Sequence, residues 1–212
     1  MLVFISGEAM NNDRKIRYAV VGLGNIAQVA VLPAFAHAQE NSELVALISS
    51  DAEKLSVLSK RYGVDIIGSY HDLDQLLANG QIDAIYVATP NTKHRIAVES
   101  AARVGVHVLC EKPLAATSAD CRAMIAAAAD GGIKLMTAYR LHFEHANLKI
   151  IERIRAGEIG EPRIFSSVFS QQVREGDIRT QGALGGGALF DMGIYCVNAA
   201  RYLFQSEPTE VT

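Results

Sequence analysis

Short apolar, β-branched runs alternate with longer stretches of helical spacing from about residue 16 to residue 139. The runs at 17–21, 44–48, 65–68, 83–88, 106–110 and 134–138 read as strands. Residues 25–38, 52–62, 73–78, 94–104 and 118–130 read as helices, with Pro33 an irregularity inside the first. The fourth run is nearly all apolar, as expected of a strand covered on both faces. Strict strand–helix alternation of this kind predicts an α/β fold whose parallel sheet is doubly wound by right-handed crossovers.

The pattern then changes. Residues 144–156 predict a helix stopped at Gly157, and residues 163–173 alternate like a long antiparallel strand with Ile164, Ser166, Val168 and Ser170 on one face. Residues 174–184 are polar and loop-like, and Gly185-Gly186-Gly187 precedes a predicted helix over 188–203. Residues 210–212 resemble the start of another strand. The expected organisation is an extension over 1–15, a Rossmann domain over 16–139, and the start of an α+β domain over 140–212 whose sheet is open and incomplete.

The chemistry begins at the first strand–helix junction. Gly22-Leu23-Gly24-Asn25-Ile26-Ala27 follows a strand and opens a helix, the context in which a glycine turn carries a dinucleotide. Gly22 permits the tight turn, Gly24 admits the pyrophosphate, and Ala27 lets helix and strand pack closely. Asn25 and Ile26 lie at the helix N-terminus, where unpaired N–H groups attract phosphate. At the end of the second strand, where a carboxylate would bind the ribose hydroxyl of NAD, the chain has Ser49, with Lys54 nearby. A hydroxyl and an ammonium accept a 2′-phosphate, so NADP(H) is expected over NAD(H). Asp51 is the counter-argument, since it too could reach the ribose.

Bulk properties narrow the remaining options. Of 212 residues, 50% are hydrophobic and 20% charged, which suits a globular fold with a sizeable core. The net charge of -3 gives no reason to expect nucleic acid or an anionic membrane as partner. No apolar run reaches the roughly 18 residues of a membrane span. Cys110, Cys121 and Cys196 fit neither a metal-ligand spacing nor a disulfide framework, which points to reduced thiols in the cytoplasm. Met1 and Met10 are both candidate starts.

Three further motifs join the glycine turn. They are Ala88-Thr89-Pro90-Asn91-Thr92-Lys93-His94, Glu111-Lys112-Pro113-Leu114, and Gly185-Gly186-Gly187-Ala188-Leu189-Phe190-Asp191-Met192-Gly193-Ile194-Tyr195. In this order they resemble the glucose–fructose oxidoreductase and inositol dehydrogenase family. Tyr139-Arg140-Leu141-His142-Phe143-Glu144 and the Tyr195 form of the last motif resemble its glucose–fructose oxidoreductase branch.

The resemblance implies NAD(P)-dependent oxidation or reduction of a sugar or polyol hydroxyl. It implies that Thr89, Pro90 and Asn91 line the cofactor, that the Lys112–Pro113 bond is cis, and that Lys112 meets both cofactor and substrate. Asp191 and Tyr195 would complete the catalytic group. They are four residues apart on a predicted helix and so share a face. Tyr195 can take the hydroxyl proton if the Lys112 cation lowers its pKa, while Asp191 orients the pair. Glu111 is expected beside the cofactor. His94 either caps its helix or lies near the nicotinamide, and Arg140 is a candidate cofactor contact. Members of the family often assemble through the sheet face of the second domain. They also run well past this length, so the chain reads as C-terminally truncated, and a non-catalytic nucleotide-binding fragment or regulatory relative is the second hypothesis.

Overall fold

The computed structural model describes residues 14–211, so both candidate starts and Thr212 lie outside the described residues. The chain divides into two compact units at Ala138/Tyr139.

The first unit is built on one parallel six-stranded sheet. Its strands are β1 (Ile16–Val21), β2 (Ser42–Ile48), β3 (Ile66–Gly68), β4 (Ala84–Val87), β5 (His107–Cys110) and β6 (Leu135–Thr137). Their order is β3-β2-β1-β4-β5-β6, so the direction of winding reverses between β1 and β4. In open α/β sheets a ligand binds at that reversal, beyond the carboxyl ends of the strands.

The two-residue period of the strands divides the core. Ala19, Val21, Ala46, Ile48, Ile85, Val87, Val108 and Cys110 face one side. There they meet Leu73 and Leu77 of α3 (Leu73–Ala78), Val98 of α4 (His94–Arg103) and Met124 of α5 (Ser118–Asp130). Val20 and Leu47 face the other side, against Leu32 of α1 (Leu32–Ala34) and Leu55 and Leu58 of α2 (Ala52–Tyr62). Each fully buried aliphatic side chain contributes on the order of 2 kcal/mol.

The irregularity expected at Pro33 is a π turn. Residues Ala27–Val31 form it, and the Leu32 N–H reaches back to the Ala27 carbonyl. Pro33 then falls at the start of the α-helical turn α1, where its missing N–H is least needed. Asp51 caps α2 by accepting the Lys54 N–H at 3.0 Å. At the opposite end of the sheet from the crevice, Arg17 donates to Asp83 through its backbone N–H at 2.8 Å, Nε at 3.0 Å and Nη2 at 2.9 Å.

The second unit has helices α6 (His145–Arg155) and α7 (Ile194–Phe204) and no strand among the described residues. The strand expected over 163–173 is therefore corrected. The alternation is present, but among the described residues no segment pairs with it, and Ile164 and Val168 are 89% and 94% exposed. An extended segment becomes a strand only through a partner's hydrogen bonds. Glu210 and Val211 likewise form no strand. The polar segment 174–184 contains two 3₁₀ turns, Ile178–Thr180 and Gly182–Leu184.

Candidate functional site

The glycine turn lies at the sheet's reversal point. Gly22 has φ +99, and a Cβ placed there would stand 2.7 Å from the Ala88 carbonyl carbon and 2.8 Å from the Thr89 nitrogen. No side chain fits between the two backbones, which brings the turn after β1 against the loop after β4. Leu23 is buried and its carbonyl accepts Gln28 Nε2 at 2.8 Å. Gly24, Asn25 and Ile26 are exposed at the start of the helical stretch, while Ala27 is fully buried against the sheet.

Two observations test whether these residues suit a dinucleotide. The cradle that a Cβ at Gly22 would fill is one. The other is the Thr89 hydroxyl, which is buried with no hydrogen-bond partner. A buried hydroxyl left unmatched costs about 1–3 kcal/mol, and such an atom in a crevice suits a polar ligand. The residues fit the group.

His94 occupies a different position from either one expected. It is fully buried. Its Nε2 lies 3.0 Å from the Thr89 carbonyl, and its Nδ1 lies 3.1 Å from the carbonyls of both Pro113 and Leu114. The ring thus joins the loop after β4 to the loop after β5 and presents no nitrogen to the crevice. The Lys112–Pro113 bond is cis. The Glu111 carboxylate accepts the Tyr86 hydroxyl at 2.7 Å and the Lys112 N–H at 3.2 Å. Pro90, Asn91, Glu111 and Lys112 are half-buried along the same two loops.

At the ribose end, Ser49 is buried and its hydroxyl accepts the Asp51 N–H at 3.1 Å. Tyr70, after β3, lies beside the same hydroxyl, and burial raises the Tyr70 pKa. Lys54 Nζ is 2.9 Å from Asp51. The backbone N–H and ammonium of Lys54 hold the Asp51 carboxyl below the usual carboxylate range. The cation that the sequence assigns to a phosphate is therefore shared with the acid that counted against it.

Asp191 and Tyr195 belong to the second unit. Asp191 lies in a π turn, Leu189–Gly193, and Tyr195 in α7. The uniform helix expected over 188–203 is thus interrupted, a feature frequent at functional sites. Asp191 Oδ2 accepts Arg179 Nε at 2.9 Å, and Arg179 also pairs with Asp177 at 3.2 Å. The Tyr195 ring packs edge-on to Tyr139, with centroids 6.1 Å apart, and tilted to Phe169 at 5.8 Å. Arg140 is exposed and paired with Glu144.

The sequence alone did not flag Tyr70, Tyr86 or Arg179. Tyr86 carried a signal as the single polar-tipped residue in an otherwise aliphatic strand. Arg179 carried none, because it lies in an irregular loop 12 positions from its partner.

Comparison with known proteins fits this geometry. Residues 16–139 match the oxidoreductase family with an NAD-binding Rossmann fold, GFO/IDH/MocA, and residues 147–212 match the GFO/IDH/MocA C-terminal domain. The chain belongs to the GFO/IDH/MocA oxidoreductase family. Among GFO/IDH/MocA relatives, D-xylose 1-dehydrogenase [NADP(+)] of Haloarcula marismortui is 33% identical, over 96% of this chain and 58% of its own length. A dTDP-3,4-didehydro-2,6-dideoxy-alpha-D-glucose 3-reductase of Streptomyces violaceoruber is 35% identical, over 92% and 56%. The structure of aldose-aldose oxidoreductase from Caulobacter crescentus, complexed with glycerol, superposes with a TM-score of 0.83 at 42% identity. That match covers 92% of this chain and 59% of the other. The chain therefore spans less than two thirds of each of these relatives. Among the described residues no helix is long and apolar enough to cross a membrane, and no three His, Cys, Asp or Glu side chains are grouped to hold a metal.

Proposed function

We propose that the chain is an oxidoreductase module that binds NADP(H) in preference to NAD(H) and serves hydride transfer to or from a sugar or polyol CH–OH group. The observation that carries this reading is the crevice at the sheet's reversal, where Gly22 meets Ala88 and Thr89 with no space for a side chain. When bound, the nicotinamide supplies the redox step. The chain's own residues bind and orient. Gly22, Leu23, Gly24, Asn25 and Ile26 receive the pyrophosphate, Thr89, Pro90 and Asn91 line the nicotinamide side, and Glu111 fixes the backbone of Lys112. Lys112 in the first unit and Asp191 and Tyr195 in the second are the catalytic candidates that the family resemblance implies, with Tyr195 exchanging the hydroxyl proton and Arg179 holding the Asp191 carboxylate. The xylose dehydrogenase is named for NADP(+), and a point variant of the 3-ketoreductase KijD10 from Actinomadura kijaniata (TM-score 0.81, 32% identity) is in complex with TDP-benzene and NADP. Both support the cofactor and the sugar-related substrate class. The reduced state expected of the three thiols supports a cytoplasmic setting.

The unpaired segment 163–173 favours a second reading, in which this chain binds cofactor without turning over substrate. Fluorescence titration with NADPH and NADH tests the cofactor preference. Lys54→Ala is expected to weaken NADPH by about tenfold and NADH by less than twofold. Asp51→Asn keeps the helix cap, since Asn caps as well as Asp, and is expected to tighten NADPH. Equal affinities for the two cofactors, unmoved by either substitution, would refute the preference. Absorbance at the reduced-nicotinamide band with a panel of aldoses and polyols then separates the readings, since binding without turnover supports the second.

A further inference from the structure

Three carbonyl oxygens from two loops converge on one buried ring. Thr89 O belongs to the loop after β4, and Pro113 O and Leu114 O to the loop after β5. His94 is the first residue of α4, an element packed into the core through Ala97, Val98 and Ala101, so the ring is held from a rigid base. Its two nitrogens divide the work. The Nδ1 edge faces only the Glu-Lys-Pro loop and the Nε2 edge faces only the Thr-Pro-Asn loop. A ring with two protons donates to both loops, and a ring with one donates to one of them.

We propose that His94 is a positioning residue that locks these two loops together, so that the loop lining the cofactor and the loop carrying Lys112 hold one relative placement. This rests on the reading of the crevice as an NAD(P) site. It departs from a role for His94 as a cofactor contact, because a fully buried ring facing three carbonyls has no nitrogen left for a ligand.

Two isosteric substitutions separate the edges. The amide of Asn reaches where Nδ1 stands, and the amide of Gln reaches where Nε2 stands. Hydrogen–deuterium exchange on the whole chain reads the loops independently of any cofactor. In His94→Ala, residues 88–91 and 111–115 are expected to exchange at least tenfold faster, with β1 and β2 unchanged. His94→Asn is expected to keep the slow exchange of 111–115 alone, and His94→Gln that of 88–91 alone. NADPH is expected to bind about tenfold more weakly to His94→Ala, and less weakly to the two amide variants. Exchange in both loops of His94→Ala as slow as in the parent would overturn the proposal. So would equal loss in all three variants spreading into β1 and β2, which would make His94 a core residue only. If the parent binds neither NADPH nor NADH while the edge-selective exchange holds, the cofactor reading fails and the lock stands. If the parent binds NADPH and His94→Ala binds it equally well, the lock fails and the cofactor reading stands.

Discussion

Replacing Gly22 and Gly24 by alanine separates what the turn does for the fold from what it does for the ligand. At Gly22 the new methyl would meet three backbone atoms of Ala88 and Thr89 at 2.7–2.8 Å, at a φ of +99 that L-residues rarely adopt. The left-handed backbone costs roughly 1–2 kcal/mol. Forcing a methyl against an immovable backbone costs roughly 1–3 kcal/mol more. The sum, about 2–5 kcal/mol, is a large share of a typical domain's stability and corresponds to a fall in melting temperature of roughly 5–20 °C. At Gly24 the nearest atom to a new Cβ is the Ala88 carbonyl oxygen at 4.0 Å, and the residue is exposed. Gly24→Ala should therefore melt with the parent, yet bind NADPH at least tenfold more weakly, because its methyl occupies the approach of the pyrophosphate. Thermal unfolding followed by circular dichroism, paired with NADPH titration, reads both effects. A Gly22→Ala protein melting within 2 °C of the parent would refute the reasoning, a threshold set by the small end of the stability range. So would a Gly24→Ala protein destabilised as much as Gly22→Ala.

Further outcomes follow from other contacts. Thr89→Val removes a buried hydroxyl that has no partner, so the ligand-free protein should unfold at the same or higher urea concentration while NADPH affinity falls. The Arg17 N–H and guanidinium lower the Asp83 carboxyl from its ordinary 3.8 to about 2. The stability this supplies, on the order of 2 kcal/mol, is present above the ordinary carboxylate range and is lost as pH falls toward 2. Asp83→Asn should thus be less stable than the parent in urea at pH 7, with the difference shrinking through pH 4 and vanishing near pH 2. In the second unit, a Cβ on Gly186 would lie 2.4 Å from the Ile178 carbonyl oxygen and 2.8 Å from that of Arg179. Gly186→Ala should open the 178–187 loop, seen as faster tryptic cleavage at Arg179, with the first unit's melting unchanged.

The first unit was legible because its signals are local and agree with one another. Short apolar runs set β1, β2, β4 and β5 within a residue or two, and Gly22 sits where its backbone demands. What escaped depends on contacts far apart in sequence. The links from His94 to Pro113, from Tyr86 to Glu111 and from Arg179 to Asp191 arise only when loops from different strands or turns meet. A histidine after a proline-containing loop looks the same whether it faces a ligand or a neighbouring carbonyl. The segment 163–173 was misjudged for a related reason. Alternation reports which side chains would share a face, whereas a strand also needs a partner that alternation cannot supply.

The unmatched Thr89 hydroxyl has a consequence for the protein's lifetime. A ligand that satisfies it binds the folded chain and not the unfolded one. At a concentration a hundredfold above its Kd it adds about 2.7 kcal/mol to folding stability. The population of unfolded chain, the form that proteases degrade, then falls by about a hundredfold. Survival of the chain would thus follow the supply of its ligand. Chains that bind no ligand would be cleared first, because they visit the unfolded form more often.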